Sequence, residues 1–340
     1  MSAPTRRVLL VAPLATPALA ARRAEAQPAA AAPIAGGRPV RLVVPFPPGG
    51  GVDLLGRLLG ERLQPILGNQ FVIDNRSGVG GNLGADNVAK SPPDGGTLGL
   101  LSSTVLAANE FLYSRLPFNV RTDFTPISRV CWGTVLCVVN AETARARGWD
   151  DFRALIAWSK ANPEKVTMGS SGVGTISHFT IALVNERTGA HITHVPYRGG
   201  GPALTDLLAG TIDMMFDVMP ALMPHVEAGR LKALAVGSRD PLPILPDVPA
   251  MRDFADLGLG DLDMVTWYAV VGPAGMAPDL AARLSQALRQ VVVEPQFAEK
   301  LAPLGNFAVS DDSPADLAAF IGRERVRWEA IVKLSGARVE

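Results

Sequence analysis

The chain has 340 residues, 48% of them hydrophobic and 19% charged, a composition that supports a sizeable core and excludes disorder along most of its length. Lysine plus arginine equals aspartate plus glutamate at 32 each. No global field draws such a chain onto nucleic acid or an anionic membrane, so selectivity for a charged ligand has to be local.

The chain opens with Arg6 and Arg7, runs through an apolar stretch from Val8 to Ala21, and reaches Ala24-Glu25-Ala26. That order reads as an export signal over residues 1–26, followed by a disordered Ala/Pro/Gly-rich leader over 27–37. The apolar stretch is shorter than the roughly 20 residues a membrane span needs. Thr5-Arg6-Arg7 loosely suggests the twin-arginine route. No later run is long and apolar enough to cross a membrane, so a soluble mature protein is expected.

From Val40 onward short apolar runs alternate with helical patterns, which predicts parallel sheets with crossover helices. Strands are expected at 41–46, 70–74, 97–102 and 135–140, with helices after the first two. In the first helix Leu54, Leu55, Leu58, Leu59 and Leu63 share one face while Arg57, Glu61 and Arg62 point away. After Asp151 the alternation restarts: a helix to about 161, strands at 166–169, 191–196, 212–217 and 231–236, and helices between them. Residues 238–249 carry four prolines and read as an extended connection. A strand at 267–271 and helices at 278–293, 295–304 and 313–334 close the chain. Two α/β domains are therefore expected, one from 38–139 plus 266–340 and one from 140–265, joined by crossings near 139 and 265.

Cys131 and Cys137 lie six residues apart in an extended stretch, about 20 Å, beyond disulfide reach. With the four histidines they form no zinc spacing, and no cofactor is expected.

Three strand-to-helix turns are rich in glycine: Pro47-Pro48-Gly49-Gly50-Gly51, Gly169-Ser170-Ser171-Gly172-Val173-Gly174 and Arg198-Gly199-Gly200-Gly201. Ser77-Gly78-Val79-Gly80-Gly81-Asn82 is a fourth. Glycine lets the main chain approach a ligand, and the free amides opening the next helix favour an anion. In open parallel sheets such turns border the crevice where ligands sit, and turns from two domains would grip a small acid between them. Asp53 either complements the dipole of its own helix or acts on the ligand, rejecting a second anion or meeting an amine. His178 is positioned to donate to a carboxylate or to cap or pack. Tyr197 offers its hydroxyl to the crevice or satisfies it elsewhere, and Asp217 is a second acid at a strand end.

Catalytic readings fit poorly. Gly169-Ser170-Ser171-Gly172-Val173 lacks the last glycine of a nucleophile elbow. Gly78, Gly80 and Gly84 miss the Rossmann spacing by one residue. Phosphate-loop and nucleic-acid signatures are missing too.

Val43-Val44-Pro45-Phe46-Pro47-Pro48-Gly49-Gly50-Gly51-Val52-Asp53 resembles the opening of the Bug family, the extracytoplasmic receptors of tripartite tricarboxylate transporters. So do residues 75–84, 194–203, 210–217 and 228–236. The resemblance runs from about residue 38 to the end, departing from the usual pattern at Ser77 and in the signal region. It implies a two-domain periplasmic-binding-protein (Venus-flytrap) fold that closes on a small carboxylate: a di- or tricarboxylate, an aromatic acid or an acidic amino acid. It further implies a periplasmic receptor, not an enzyme, monomeric, that passes its ligand to membrane subunits of the transporter and binds no nucleic acid. The ligand contacts it implies are Phe46, Gly49, Gly50, Gly51, Asp53, Ser171, Gly172, Thr175 and His178, with Ser103, Thr104, Tyr197, Gly199 and Asp217 as further positions. The alternatives are an α/β enzyme acting on a small acid, or a receptor feeding a sensor kinase.

Overall fold

The computed structural model describes residues 33–339. The expected export signal lies outside them, as does the leader up to residue 32. Residues 34–37, assigned to the disordered leader on composition, are instead docked. Ile34 is the one large apolar side chain in that stretch; it is buried, and its backbone N–H and C=O pair with the Asn69 side-chain amide at 2.9 and 2.8 Å.

Strands and helices alternate as the hydrophobic pattern requires. The first stretch comprises β1 (Val40–Val44), α1 (Gly51–Leu67), β2 (Phe71–Asn75), α2 (Asn82–Ala89), β3 (Thr97–Ser102), α3 (Asn109–Leu112) and β4 (Phe124–Asn140). Then come α4 (Ala141–Arg147), α5 (Phe152–Ala161), β5 (Val166–Ser170), α6 (Ile176–Thr188), β6 (Ile192–Pro196), α7 (Gly200–Leu208), β7 (Met214–Val218), α8 (Met219–Glu227) and β8 (Leu231–Val236). The chain ends through β9 (Val265–Pro273), α9 (Pro278–Val292), α10 (Pro295–Leu301), β10 (Asn306–Ala308) and α11 (Pro314–Ser335).

The strand order is β2-β1-β3-β9-β4-β7-β5-β6, with β8 and β10 also paired to β4. β1 runs parallel to β2 and β3, and β5 parallel to β6 and β7; every pairing of β4 and β9 is antiparallel. Both faces of β1 are covered, so its sequence reads as a near-continuous apolar run. Gly56 lets α1 lie against that strand, since a Cβ there would stand 2.8 Å from a Val44 methyl.

β4 belongs to both halves of the sheet. Residues 124–134 pair with β9, and residues 135–140 pair with β7 and β8. At the changeover Gly237 N–H donates to Val135 O, Met264 N–H to Gly237 O, and Thr134 Oγ1 to Met264 O, at 2.7 to 2.8 Å. The final helix ties the halves together: Trp328 meets Phe179 of α6 edge-on at 5.4 Å, while Glu324 accepts the Trp267 indole N–H of β9 at 2.9 Å. Cys131 and Cys137 are free and buried, and burial pushes both thiols far up.

Candidate functional site

The first glycine turn ends β1 and starts α1. Gly50 is the N-cap residue, with no side chain capping the helix, and Gly49 turns at φ +81°. This leaves the exposed main chain of Gly49, Gly50 and Gly51 as the surface of the turn. Asp53 is buried beneath it and accepts from Gly49 N–H (2.9 Å), Arg57 Nε (3.0 Å) and Asn75 Nδ2 (3.0 Å). Burial would raise this carboxyl, but the bonds from Arg57, Gly49 and Asn75 outweigh it and hold the group below its usual range. Asn75 also donates to Phe46 O at 3.1 Å, so the ends of β1 and β2 are laced together.

In the next turn Gly78, Val79, Gly80 and Gly81 all have positive φ. Val79 is a β-branched residue at φ +49°, a region costly to such side chains. A Cβ on Gly80 would lie 2.4 Å from the Tyr113 hydroxyl, so only glycine fits. Asn109 donates to Asn82 Oδ1 at 2.6 Å and to Gly80 O at 3.3 Å. Ser103 is buried with its hydroxyl 3.1 Å from that of Thr266, and Thr104 pairs with Ser102 at 2.8 Å.

The second half contributes a compact polar cluster. Thr175 caps α6, accepting from His178 N–H, and donates its hydroxyl to Gly172 O at 2.7 Å. Ser171 donates to Asp217 Oδ2 at 2.7 Å. Burial raises the Asp217 carboxyl against the lowering effect of Ser171 and of Val218 N–H. Gly200 makes room for that carboxylate, because a Cβ there would stand 2.6 Å from Oδ2. Tyr197 donates its hydroxyl to Asp206 at 2.6 Å; that bond, and burial after it, push the phenol up to about 12. Gly199, at φ +116°, opens α7 with nothing packed where a side chain would go.

His178 and His194 stack in this cluster, ring centroids 4.2 Å apart and 13° from parallel. Burial lowers His178. Burial first, and His178 second, push His194 down to about 4. Both imidazoles are therefore uncharged near neutral pH.

Two of the glycine turns flank one segment. Gly80 packs on Tyr113, while Gly174, at φ +78°, packs on Leu112, where a Cβ would lie 2.5 Å from the leucine Cδ2. The donors these turns offer are main-chain amides, hydroxyls and imidazoles. Arg57 is engaged by Asp53 and Arg76 by Asp74. Among the described residues no group of three or more His, Cys, Asp or Glu side chains could hold a metal ion. Sequence reasoning missed Ser170, His194, Asn82 and Asn109. Ser170 and Asn82 stand inside glycine-rich turns and His194 precedes one, but nothing in the sequence pairs them with their partners.

The sequence profile of the family described as "Tripartite tricarboxylate transporter family receptor" matches residues 55–337. Protein BugT from Bordetella pertussis is 36% identical over 304 residues, covering 89% of this chain and 91% of that protein. Among solved structures, an R. palustris protein with adipate superposes with a TM-score of 0.77 at 32% identity, covering 89% of this chain and 99% of its own. Periplasmic binding protein BugD gives 0.74 at 28% identity, with 89% and 99% covered. MatC from Rhodopseudomonas palustris with bound malate gives 0.72 at 28%, with 87% and 99% covered.

Proposed function

The chain belongs to the tripartite tricarboxylate transporter receptor family, which makes it a solute-binding receptor of the Venus-flytrap fold and not an enzyme, and from that premise we propose that it captures a small carboxylate and delivers it to the membrane subunits of such a transporter. The observation that carries the ligand class is the chemistry of two turns, the exposed, uncapped main chain of Gly49, Gly50 and Gly51 at the start of α1 and the hydroxyls, amides and imidazoles gathered around residues 170–178. Amides at helix N-termini recognise an acid group and are indifferent to what joins it to a second one. The adipate and malate of the two neighbours are of this chemistry.

In this reading the lobes are residues 38–139 with 266–340, and residues 140–265. The ligand meets the amides of Gly49, Gly50 and Gly51 on one side and Ser171, Gly172, Thr175, His178 and Gly199 on the other. Phe46 and Thr104 line the first side, and Ser103, expected there from the resemblance, is instead fully buried against Thr266. Asp53, Tyr197 and Asp217 hold the turns in shape, each through the hydrogen bond already described. The receptor works as a monomer in the periplasm after removal of residues 1–26.

A thermal-shift screen of residues 27–340 against mono-, di- and tricarboxylates, aromatic acids and acidic amino acids tests this, with nucleotides as controls. A ligand at 100 times its Kd adds about 2.7 kcal/mol of stability. Stabilisation by one carboxylate class, with the acid recovered unchanged, is the expected result; stabilisation by nucleotides alone, or by none of these acids, overturns it.

A further inference from the structure

The hydrogen bonds around the stacked imidazoles favour one assignment of their protons. Nδ1 of His178 accepts the Gly174 N–H at 3.2 Å, so the single proton of that neutral ring is on Nε2. Nε2 of His194 lies 2.6 Å from Ser170 Oγ. Ser170 Oγ also accepts Gly172 N–H at 3.1 Å, which leaves its hydroxyl hydrogen for either His194 or Gly172 O, 3.3 Å away. The shorter contact wins, because Gly172 O already accepts from Thr175. His194 then carries its proton on Nδ1. Among the described residues no hydrogen bond reaches His178 Nε2 or His194 Nδ1, neither is a buried orphan, and both rings are half-buried, which leaves the two nitrogens available to a ligand. Two N–H donors on rings 4.2 Å apart can each take one oxygen of a carboxylate, the task an arginine fork performs with a fixed charge.

We propose, resting on the receptor reading above, that His178 and His194, uncharged in the free protein, form a two-donor fork for one carboxylate of the ligand, and that His194 takes up a proton from solvent as the acid binds. The Ser170 hydroxyl makes this uptake local. When a proton arrives on His194 Nε2, the hydroxyl hydrogen turns to Gly172 O and the serine oxygen becomes the acceptor. His178 has no such freedom, since its Nδ1 already faces an N–H. Four acids on the surrounding elements are engaged elsewhere: Asp217 of β7 by Ser171, Asp206 of α7 by Tyr197, Glu110 of α3 by Arg121 and Arg325, and Glu324 of α11 by Trp267 and Arg327. On α6 itself Arg187 pairs with Asp261, and Glu186 follows from the helix's far end; Arg198 is exposed in the turn before α7. β5 and β6 carry no charged side chain besides His194. The ligand's own charge is therefore the new partner that favours imidazolium.

The chain has four histidines, so their ring signals are countable by NMR on residues 27–340 labelled at histidine. Titration with and without succinate, adipate and malate should move one imidazole midpoint, absent in a His194→Asn variant, upward by about two and a half units or more. Calorimetric Kd should fall about threefold or more between pH 7.5 and 6 by linkage, and the slope should flatten in Ser170→Ala. An acid that binds with no imidazole shift and a flat Kd overturns the fork while leaving the receptor standing. Failure of every acid to bind overturns both. Should Ser170→Ala not fold, the wild-type ring signals decide.

Discussion

Replacing Asp53 by alanine separates two roles that a buried acid beneath the first glycine turn can have. The side chain is 3% exposed and takes three donors. Arg57 is 55% exposed, so its pair is screened and contributes about 0.5 kcal/mol. The Gly49 and Asn75 bonds end on a carboxylate shielded from water and contribute about 1.5 kcal/mol each. The variant should therefore lose about 3.5 kcal/mol in urea denaturation at neutral pH. The depressed carboxyl sets the pH window: its contribution is present above the unfolded value of about 3.9 and disappears as pH falls through the lower folded value. Wild type and Asp53→Ala should converge in stability at the acid end. A loss under about 1 kcal/mol at neutral pH, or abolished ligand binding with stability intact, would refute the reasoning and place the carboxylate on the ligand.

Two other perturbations test the same turns. Gly174→Ala puts a side chain at φ +78° and against the Leu112 methyl. It should cost about 1–3 kcal/mol in denaturant melts and weaken acid binding by shifting the amide that fixes His178; unchanged stability would mean that the turn relaxes freely. The chain's three tyrosines all titrate high: Tyr113 and Tyr268 through burial, Tyr197 to about 12 through Asp206. Tyrosinate absorbance of the native protein should stay low near pH 10, where an unfolded chain ionises. These neutral phenols support the fold fully below that pH and progressively less as pH rises through the folded values; native absorbance rising near pH 10 would sink the assignment.

Element order was legible because short apolar runs alternate cleanly with 3.6-residue periodicity. β3 and β8 have the bounds their apolar runs suggest. The first half of β4 was not legible: Pro126, Ser128 and Arg129 interrupt the apolar pattern, and the strand tolerates them through two register shifts against β9. The helical turn at Thr104–Ala108 is buried all round, so its sequence carries no face, and β10 exists only by pairing with β4. At the site, glycines announced themselves through the positive φ that only they adopt cheaply. Side-chain partnerships did not. Asp53 finds Asn75 only because β1 and β2 are in register, and Ser170 meets His194 only because β5 lies beside β6. Such pairings are set by strand neighbours, which local sequence leaves open.

Thr134 and Val265 face each other as partners on β4 and β9, although 130 residues of chain separate them in the covalent sequence. The stretch between them thus leaves and re-enters at a single rung of an antiparallel ladder, geometrically an insertion at the tip of a hairpin. A tight turn of two residues is all that is required to reconnect such a rung. The entry and exit of that stretch are thus held in one place by the sheet, while the shared core under α11 keeps it joined to the rest of the chain.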